Sequence, residues 1–267
     1  MNSPGTGKSG CRSRGVEIIA HRGASHDAPE NTLAAVQLAW QQHADAVEVD
    51  VRISRDGQLV VIHDDNTRRT GKAARKVSDE TLAELRSLDV GRWKGRQWSG
   101  ERIPTLEEVM AAVPLGRRLF VEFKAGPDAI PELSRIARRS GRPPARIVAI
   151  SFSLEMVKQL KAEMPGLEAC WISSFRRYWK PARWSPGAGE LIAAAHKAGL
   201  DGVDLDARGP INAIFVRKLK RAGLKVYVWT VDSAVKARKL AAAGVDGITT
   251  NRPGWLRQKL DELPFLP

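Results

Sequence analysis

The chain has 267 residues, of which 43% are hydrophobic and 27% charged, a composition that excludes a disordered or fibrous protein. Its length suits one large domain and is close to the roughly 250 residues of a single α/β barrel. The formal net charge of +13 is unusual, and it is typical of proteins that bind nucleic acid, an anionic membrane surface or a phosphorylated substrate.

Residues 1–16 contain three basic residues and no following apolar stretch, which predicts a disordered basic tail and not a signal peptide. Within them, Gly5-Thr6-Gly7-Lys8-Ser9 is similar to part of a phosphate-binding loop, but the first glycine of that motif is missing. No run of about 18 apolar residues is present, and Cys11 and Cys170 alone build no disulfide framework. We therefore expect a cytoplasmic protein.

From residue 17 onward, short strand patterns alternate with amphipathic helical patterns, as in a parallel sheet with crossover helices. Several helical patterns end on a glycine just before the next strand, for example at Gly199, Gly223 and Gly244. Seven or eight such units in about 250 residues predict a TIM (β/α)8 barrel, with a doubly wound sheet as the alternative. The predicted strands are 17–21, 46–52, 58–63, 118–123, 146–151, 168–172, 202–206, 225–230 and 246–249.

Two segments interrupt this alternation. Only the turn Ser54–Gly57 separates the second and third predicted strands, and Asp-Gly between apolar runs indicates an antiparallel β-hairpin. The second interruption, residues 67–103, is rich in Arg, Gly and Trp and is predicted to be a small inserted subdomain with a helix near Ser78–Ser87. We expect it to emerge from the loop side of the barrel, so that residues 17–267 form one catalytic domain with this insertion.

Glu48 and Asp50 are two residues apart on the second predicted strand, so their carboxylates face the same side. Such a pair in a dry site needs a cation to offset the repulsion between the two carboxylates. The alternative is that both acids lie on the surface at a strand end, where they need no cation. If Asp56-Gly57 forms a two-residue turn, His63 lies directly opposite Asp50, with Cβ atoms about 5 Å apart. The pattern then predicts a histidine clustered with two carboxylates.

Other ionisable residues also lie at strand ends, where catalytic groups of barrel enzymes are found. Glu122 and Lys124 share one face of their strand, and His21 with Arg22 ends the first strand. The carboxylates of Glu48, Asp50 and Glu122 form a ligand set made of oxygens only, without cysteine, and such a set suits Mg²⁺ or Ca²⁺. The arginine and the lysine can hold phosphate oxygens, and two histidines can serve as general base and acid. Together these groups are suited to cleaving a phosphodiester.

The order and spacing of these motifs resemble the glycerophosphodiester phosphodiesterases, a family of phospholipase-C-like TIM-barrel enzymes. The resemblance covers the chain from about residue 17 to residue 255. It rests on His21-Arg22-Gly23, Pro29-Glu30-Asn31-Thr32, Glu48-Val49-Asp50-Val51, His63-Asp64, Glu122-Phe123-Lys124, Trp229-Thr230-Val231-Asp232 and Asp246-Gly247-Ile248-Thr249-Thr250.

The resemblance implies a TIM barrel with a small insertion and metal-dependent hydrolysis of small-molecule glycerophosphodiesters to glycerol 3-phosphate and an alcohol. We expect no nucleic-acid partner, because the positive charge is unevenly distributed along the chain. Carried over by position, the implied roles are acid/base catalysis by His21 and His63, metal ligation by Glu48, Asp50 and Glu122, phosphate contact by Arg22 and Lys124, support from Glu30, and a lining position for Trp229.

The chain departs from the family pattern at two positions near the barrel mouth. The family often has Asn where Asp232 stands, and Asp followed by an aromatic residue where Asn251-Arg252 stands. These departures concern the alcohol portion of the substrate more than the chemistry.

The segment Ser174–Trp184 combines four basic and four aromatic residues with no acid. It follows what we number as the sixth barrel strand, which predicts a position at the rim of the active site. Three interpretations stay open: a solvated loop, a lid that faces substrate or membrane, and a base-stacking contact with nucleic acid. Phe175–Trp184 is therefore a candidate membrane contact.

Two alternative functions also stay open. A lysophospholipase D-type hydrolase would take diesters that still carry an acyl chain, and a non-enzymatic basic protein would bind a membrane or nucleic acid without needing the clustered histidines and acids. The insertion and the rim segment carry +9 around the predicted mouth, where they can attract an anionic diester. Five arginines in residues 135–146 belong to the opposite face and have no assigned function.

Overall fold

A computed structural model describes residues 15–141, 146–180 and 182–262. The predicted tail, with its phosphate-loop-like fragment, lies outside the described residues except for Gly15 and Val16. Among the helices of the described residues, none is long and apolar enough to cross a bilayer.

Eight parallel strands close into a barrel, because the first of them pairs with both the second and the last. This closure confirms the predicted TIM barrel and excludes the doubly wound alternative, whose sheet stays open. In chain order the strands are β1 (Glu17–His21), β2 (Ala46–Ile53), β3 (Leu59–Val61), β4 (Arg118–Phe123), β5 (Ile147–Ser151), β6 (Glu168–Ser173), β7 (Arg176–Trp179), β8 (Ala182–Ser185), β9 (Gly202–Asp206), β10 (Lys225–Trp229) and β11 (Gly247–Thr250), of which β3, β7 and β8 lie outside the barrel.

Helices connect the barrel strands and begin at side-chain caps that the sequence supplies. Thr32, Ser153, Asn212 and Ser233 each accept a backbone N–H of the following helix. Gly199, Gly223 and Gly244 have φ values of +67°, +80° and +91°, which confirms the predicted left-handed residues behind three helices. The helices are α1 (Leu33–Gln41), α2 (Arg68–Gly71), α3 (Leu82–Arg86), α4 (Leu106–Ala111), α5 (Ile130–Ser140), α6 (Leu154–Glu163), α7 (Ala188–Lys197), α8 (Ala213–Arg221), α9 (Ala234–Ala243) and α10 (Pro253–Asp261).

The barrel interior is filled by an apolar layer that separates its two ends. It contains Phe120 and Tyr227, whose rings meet edge to face at 5.0 Å, with smaller residues such as Ala46 and Cys170 around them. Larger apolar clusters fill the space between the barrel and the helices. The interior is therefore a packed core, and polar side chains are confined to its two ends.

The β2–β3 hairpin forms as predicted, but its predicted register is wrong by one residue. The connecting loop has three residues, Arg55–Gly57, with Gly57 at a φ of +77°, and not two. Asp50 therefore lies opposite Ile62, whose backbone N donates to the carbonyl O of Asp50 at 3.0 Å. His63 follows one position later, beyond the end of β3.

The segment between β3 and α4 contains α2, α3 and two short 3-10 turns. It has a small apolar cluster of its own against β3, in which Leu85 and Ile103 are almost fully buried beside Val60. This packing fixes the segment beside the carboxyl end of β2.

The Ser174–Trp184 segment is not a loop but an antiparallel hairpin of β7 and β8, in which Arg177 pairs with Trp184 and Tyr178 with Arg183. It follows the fifth barrel strand and not the sixth, because β3 is not part of the barrel. It still projects from the carboxyl-terminal end of the barrel, as the sequence predicted.

Candidate active site

A cavity of about 230 Å³ opens at the carboxyl ends of the barrel strands and collects most of the predicted site residues. Asp50 lies beneath it, and Glu30 lies beside it in contact with Arg22. A larger, more open groove between α1 and the insertion holds none of the predicted groups. The predicted residues that line the cavity are His21, Arg22, Glu48, His63, Glu122, Lys124 and Trp229.

Three buried carboxylates form the floor of this cavity. Glu48, Asp50 and Glu122 each present an oxygen within 4.8 Å of the others, and all three are less than 10% exposed. Burial, followed by the neighbouring carboxylates, raises the pKa of Glu48 well above its ordinary value and that of Glu122 to about 7. The cluster is therefore an unfavourable concentration of negative charge unless a cation joins it.

Two cations partly offset that charge through Asp50. Although burial alone would raise it, Arg22 and Lys124 hold the pKa of Asp50 below its ordinary value. Arg22 Nε lies 3.1 Å from Asp50 Oδ2, and Lys124 Nζ lies 3.3 Å from Asp50 Oδ1. Asn31 Nδ2 donates to Asp50 Oδ2 at 2.9 Å, so this carboxylate is held as an anion from several sides.

The backbone after β1 is shaped to bring these groups together. Arg22 and Asn31 adopt left-handed conformations, with φ of +55° and +59°, and Gly23 follows at +80°. A Cβ on Gly23 would approach the backbone C of Ala35 to 2.5 Å, so only glycine fits there. This turn lets the backbone N of Arg22 donate to Glu48 Oε2 at 2.9 Å.

His21 is oriented by a chain of hydrogen bonds from the last barrel segment. Its Nδ1 lies 2.7 Å from Asn251 Oδ1, while Asn251 Nδ2 donates to Asp232 Oδ2 at 2.6 Å. The carboxylate only accepts, so it fixes the amide orientation, places the proton of His21 on Nδ1 and leaves Nε2 as an acceptor. Burial and then the charge of Arg22 lower the pKa of His21, which favours the neutral ring.

His63 is oriented by a carboxylate instead. Its Nδ1 lies 2.7 Å from Asp64 Oδ1, and hydrogen bonds from Arg69, followed by that from His63, lower the pKa of Asp64 to about 2 despite some burial. Arg69, on α2, also donates two hydrogen bonds to Glu30, at 2.7 and 2.8 Å. Glu30 in turn accepts from Arg22 at 2.8 Å, so one chain of ion pairs joins the insertion, His63 and Arg22.

The acidic cluster fits a hard divalent cation. Its ligands are oxygens only, and among the described residues Glu48 Oε1 and Asp50 Oδ1 accept no hydrogen bond although both are buried. Buried carboxylate oxygens normally have a hydrogen-bond partner. A bound cation would satisfy both of them and offset the repulsion within the cluster.

The model of the glycerophosphoryl diester phosphodiesterase family matches residues 21–255, which include the whole of this cavity. The chain belongs to that family. This confirms the resemblance seen in the sequence motifs.

Relatives within the family match over most of their length. The Bacillus subtilis protein YhdW is 35% identical over 90% of this chain and 96% of its own, and the glycerophosphodiester phosphodiesterase of Caldanaerobacter subterraneus is 32% identical over 88% and 94%. Among solved structures, an Oleispira antarctica phosphodiesterase in complex with the product sn-glycerol-3-phosphate is 29% identical, with a TM-score of 0.81 over 92% of this chain and 97% of that one.

The two departures from the family pattern are in direct contact with each other. Asp232 accepts hydrogen bonds from the backbone N and Nδ2 of Asn251, and Asn251 is the residue that orients His21. In this member of the family the carboxylate therefore stands one residue away from the histidine, with an amide between them.

Sequence reasoning gave no role to four residues of the site, two of which, Asn31 and Asn251, it had named only as part of a motif and as a departure from the family pattern. Asp204 on β9 is 2% exposed, lines the cavity, and has an Oδ1 with no partner among the described residues. Its inward direction was readable from the alternation in Gly202–Asp206, but nothing marked it as chemical. Arg69, Asn31 and Asn251 act through contacts between distant segments, which no local pattern reports.

Proposed function

We propose that this chain hydrolyses glycerophosphodiesters to glycerol 3-phosphate and an alcohol, with a divalent metal. The observation that carries the proposal is that the acidic cluster and two separately oriented histidines open into one cavity. Membership of the glycerophosphoryl diester phosphodiesterase family supports it, and so does the product named in the Oleispira antarctica complex.

Glu48, Asp50 and Glu122 would hold the metal, and their all-oxygen character favours Mg²⁺ or Ca²⁺. When bound, the metal supplies positive charge that offsets the negative charge developing on the phosphoryl oxygens. Arg22 and Lys124 add positive charge on both sides of Asp50 and can contact the remaining phosphate oxygens.

The two histidines have different environments, which suggests different roles. His21 is held neutral with a free Nε2, so it can accept the proton of the attacking hydroxyl. His63 is oriented by the Asp64 carboxylate at its Nδ1, so the other ring nitrogen can donate a proton to the leaving alkoxide. Glu30 holds Arg22 and Arg69 in place around both groups.

The wall of the cavity opposite the histidines is apolar and would contact the alcohol portion. Phe152 and Trp229 meet edge to face at 5.6 Å, beside Ile150 and Ile172. This wall makes acylated glycerophosphodiesters a second candidate substrate class. A panel of diesters with and without an acyl chain would rank the two classes by kcat/KM.

Asp204 lines the cavity near Glu122 of the acidic cluster, and its Oδ1 has no hydrogen-bond partner among the described residues. We assign it to a hydroxyl of the glycerol moiety. Asp204→Asn should raise KM for glycerophosphodiesters, whereas a phosphodiester without hydroxyl groups should be cleaved as before. Asp206→Asn is the matched control, because the oxygens of Asp206 are already engaged by Arg208. If Asp204→Asn raised KM equally for the glycerophosphodiester and for the diester without hydroxyl groups, the assignment would be wrong.

The direct test is release of choline and glycerol 3-phosphate from glycerophosphocholine with Mg²⁺ or Ca²⁺, and its loss in EDTA. No turnover of any glycerophosphodiester with the ion supplied would refute the proposal. Full activity of His21→Ala would remove the base role from this residue. Detection of a cyclic glycerophosphate before glycerol 3-phosphate would identify a glycerol hydroxyl, and not water, as the first nucleophile.

A further inference from the structure

The large apolar side chains that remain exposed are not scattered over the described surface. Six are exposed, and five of them lie at the carboxyl-terminal end of the barrel, where the cavity opens. The sixth, Leu115, precedes β4 at the opposite end. The five are Phe152 (50% exposed), Tyr178 (37%), Trp179 (73%), Ile214 (63%) and Val235 (62%).

These five residues form one arc, which we name the apolar rim. They follow β5, β6, β9 and β10, which are consecutive neighbours in the barrel. Ile214 and Val235 lie in the first turns of α8 and α9, and Phe152 lies just before α6. The other part of the mouth, around β1 and β2, carries the ion-paired insertion instead. Exposed apolar groups gathered on one arc in this way mark a contact surface.

The most prominent part of the rim is the β7–β8 hairpin, whose aromatic residues alternate with arginines. Arg177 lies over the Trp179 ring with its Cζ 4.2 Å from the centroid, and Arg183 lies over the Tyr178 ring at 5.1 Å. No acidic residue occurs between Ser174 and Gly189. The hairpin therefore presents positive charge and aromatic surface together.

The base of the hairpin is anchored, so that its exposed residues are held at the mouth. Phe175 contacts Trp184 and Phe215 edge to face, at 6.4 and 5.9 Å. A Cβ on Gly209 would approach the Phe175 ring to 2.0 Å, so glycine at this position makes room for the anchor. The aromatic residues beyond this anchor have no such packing role, since Trp179 remains 73% exposed.

We propose that the apolar rim and its hairpin dock on an anionic membrane surface, a role that rests on the proposed function because it would bring the active site to lipid-derived diesters. Aromatic and basic residues together are suited to the bilayer interface. Single-stranded nucleic acid would use the arginines and tryptophans, but it offers no reason for Ile214 and Val235 to be exposed in the same arc. A bilayer would bury them.

Sedimentation with lipid vesicles tests the docking, using vesicles that contain phosphatidylglycerol and vesicles of phosphatidylcholine alone. We expect binding to the anionic vesicles only, weakened by salt. The double variant Arg176→Gln/Arg183→Gln should lose about 25-fold in affinity, since each basic residue at an anionic surface contributes about fivefold. Trp179→Ala should lose about tenfold.

Matched controls come from the opposite end of the barrel. Arg138→Gln/Arg139→Gln removes the same charge from the exposed end of α5, and Leu115→Ala removes an apolar group that is 95% exposed. Both should bind vesicles as the wild type does. Equal losses in the controls, no vesicle binding at low salt, or binding of single-stranded DNA without vesicles would each overturn the proposal.

Turnover of soluble glycerophosphocholine without vesicles separates this proposal from the proposed function. The hairpin variants should keep that activity within about twofold, because the hairpin does not line the cavity. Vesicle binding without any turnover would refute the phosphodiesterase and leave the docking surface. Turnover without vesicle binding would refute the docking surface and leave the phosphodiesterase.

Discussion

Both ends of the barrel interior contain ionisable groups that are shielded from solvent, partly at the amino-terminal end and almost completely at the mouth. The two sets of groups differ in how completely they are paired. At the amino-terminal end, Arg118 donates to Glu17 at 2.8 Å and lies 2.7 Å from Glu168, while the Tyr227 hydroxyl bridges Arg118 and Glu168 at 3.1 and 2.7 Å. No buried side-chain polar atom of this network lacks a partner in the described chain. We name it the closed-end network.

The mouth has the opposite character. Oxygens of Glu48, Asp50 and Asp204 are buried without a hydrogen-bond partner among the described residues. The carboxylates of Glu48 and Asp50 also crowd together with that of Glu122. Buried charge with complete pairing holds a structure together, whereas buried charge without it is costly and persists where a ligand completes it. Complete pairing therefore marks the closed-end network as structural, and buried oxygens without a partner mark the acidic cluster at the mouth as functional.

The largest expected effect is on activity, through His63→Ala at the mouth. Loss of an acid/base group should lower kcat by about 10²- to 10⁴-fold, while the free energy of unfolding, from urea titration, should change by less than about 1 kcal/mol because His63 is partly exposed. His196→Ala is the control, since that exposed histidine lies away from the cavity and its ring bonds a backbone carbonyl. If His63→Ala kept the wild-type kcat, His63 would not be a functional group of the mouth.

The next effect is on stability, through Arg118→Met at the closed end. Removing one member of this partly buried ion cluster leaves Glu17 and Glu168 without their main cation, which should cost about 2–4 kcal/mol in urea unfolding, between the values for exposed and fully buried pairs. Specific activity below the melting transition should stay at the wild-type value. Arg117→Met is the control, because that arginine is more exposed and its pair with Asp45 should contribute less than about 1 kcal/mol. Equal effects of the two variants would show that the closed-end network is not a special source of stability.

The contrast between the two ends also explains what the sequence could predict. The barrel followed from the alternation of strands and helices, and His21, Glu48, Glu122 and Lys124 were visible because strand ends of a barrel meet at one mouth. The closed-end network was not visible, because its members lie on four different strands: Glu17, Arg118 and Glu168 begin β1, β4 and β6, and Tyr227 is the third residue of β10. Arg118 there looks like any charged residue before an apolar run.

Contacts between segments were also beyond the sequence. The hairpin register was off by one because Gly57 closes a three-residue loop, a choice that depends on packing around the turn as much as on Asp-Gly. His63 nevertheless lines the cavity, although it lies beyond the end of β3. Arg69 was hidden for a similar reason, because its two partners lie 39 and five positions away.

A smaller effect concerns pH and metal at the mouth. The pKa of Glu122 is raised to about 7 in the folded chain from an ordinary 4.5, so its contribution to stability is present below pH 4.5 and is lost as pH rises through 7. In EDTA, Glu122→Gln should therefore be more stable than the wild type at pH 8 by about 1–3 kcal/mol, and this gain should vanish near pH 4.5. Urea unfolding across this pH range measures it.

The closed end gives the background for that measurement. Burial raises the pKa of Glu17 to about 7 although Arg118 opposes the shift, so part of the pH dependence stays in Glu122→Gln. Adding Mg²⁺ or Ca²⁺ at pH 8 should stabilise the wild type more than the variant, because the ion binds only the folded state and needs the ionised cluster. If Glu122→Gln were less stable than the metal-free wild type at pH 8, the carboxylates at the mouth would not destabilise the fold.

The smallest effect sharpens the comparison at the closed end. Tyr227→Phe keeps the edge-to-face packing on Phe120 and the direct contact between Arg118 and Glu168, and removes only the bridging hydroxyl. The cost should be about 1 kcal/mol in urea unfolding, the usual contribution of a hydrogen bond. Activity should not change, because the apolar layer around Phe120 separates this hydroxyl from the cavity. If kcat instead fell tenfold with stability intact, the two ends would be coupled through that layer, and the closed-end network would belong to the catalytic apparatus.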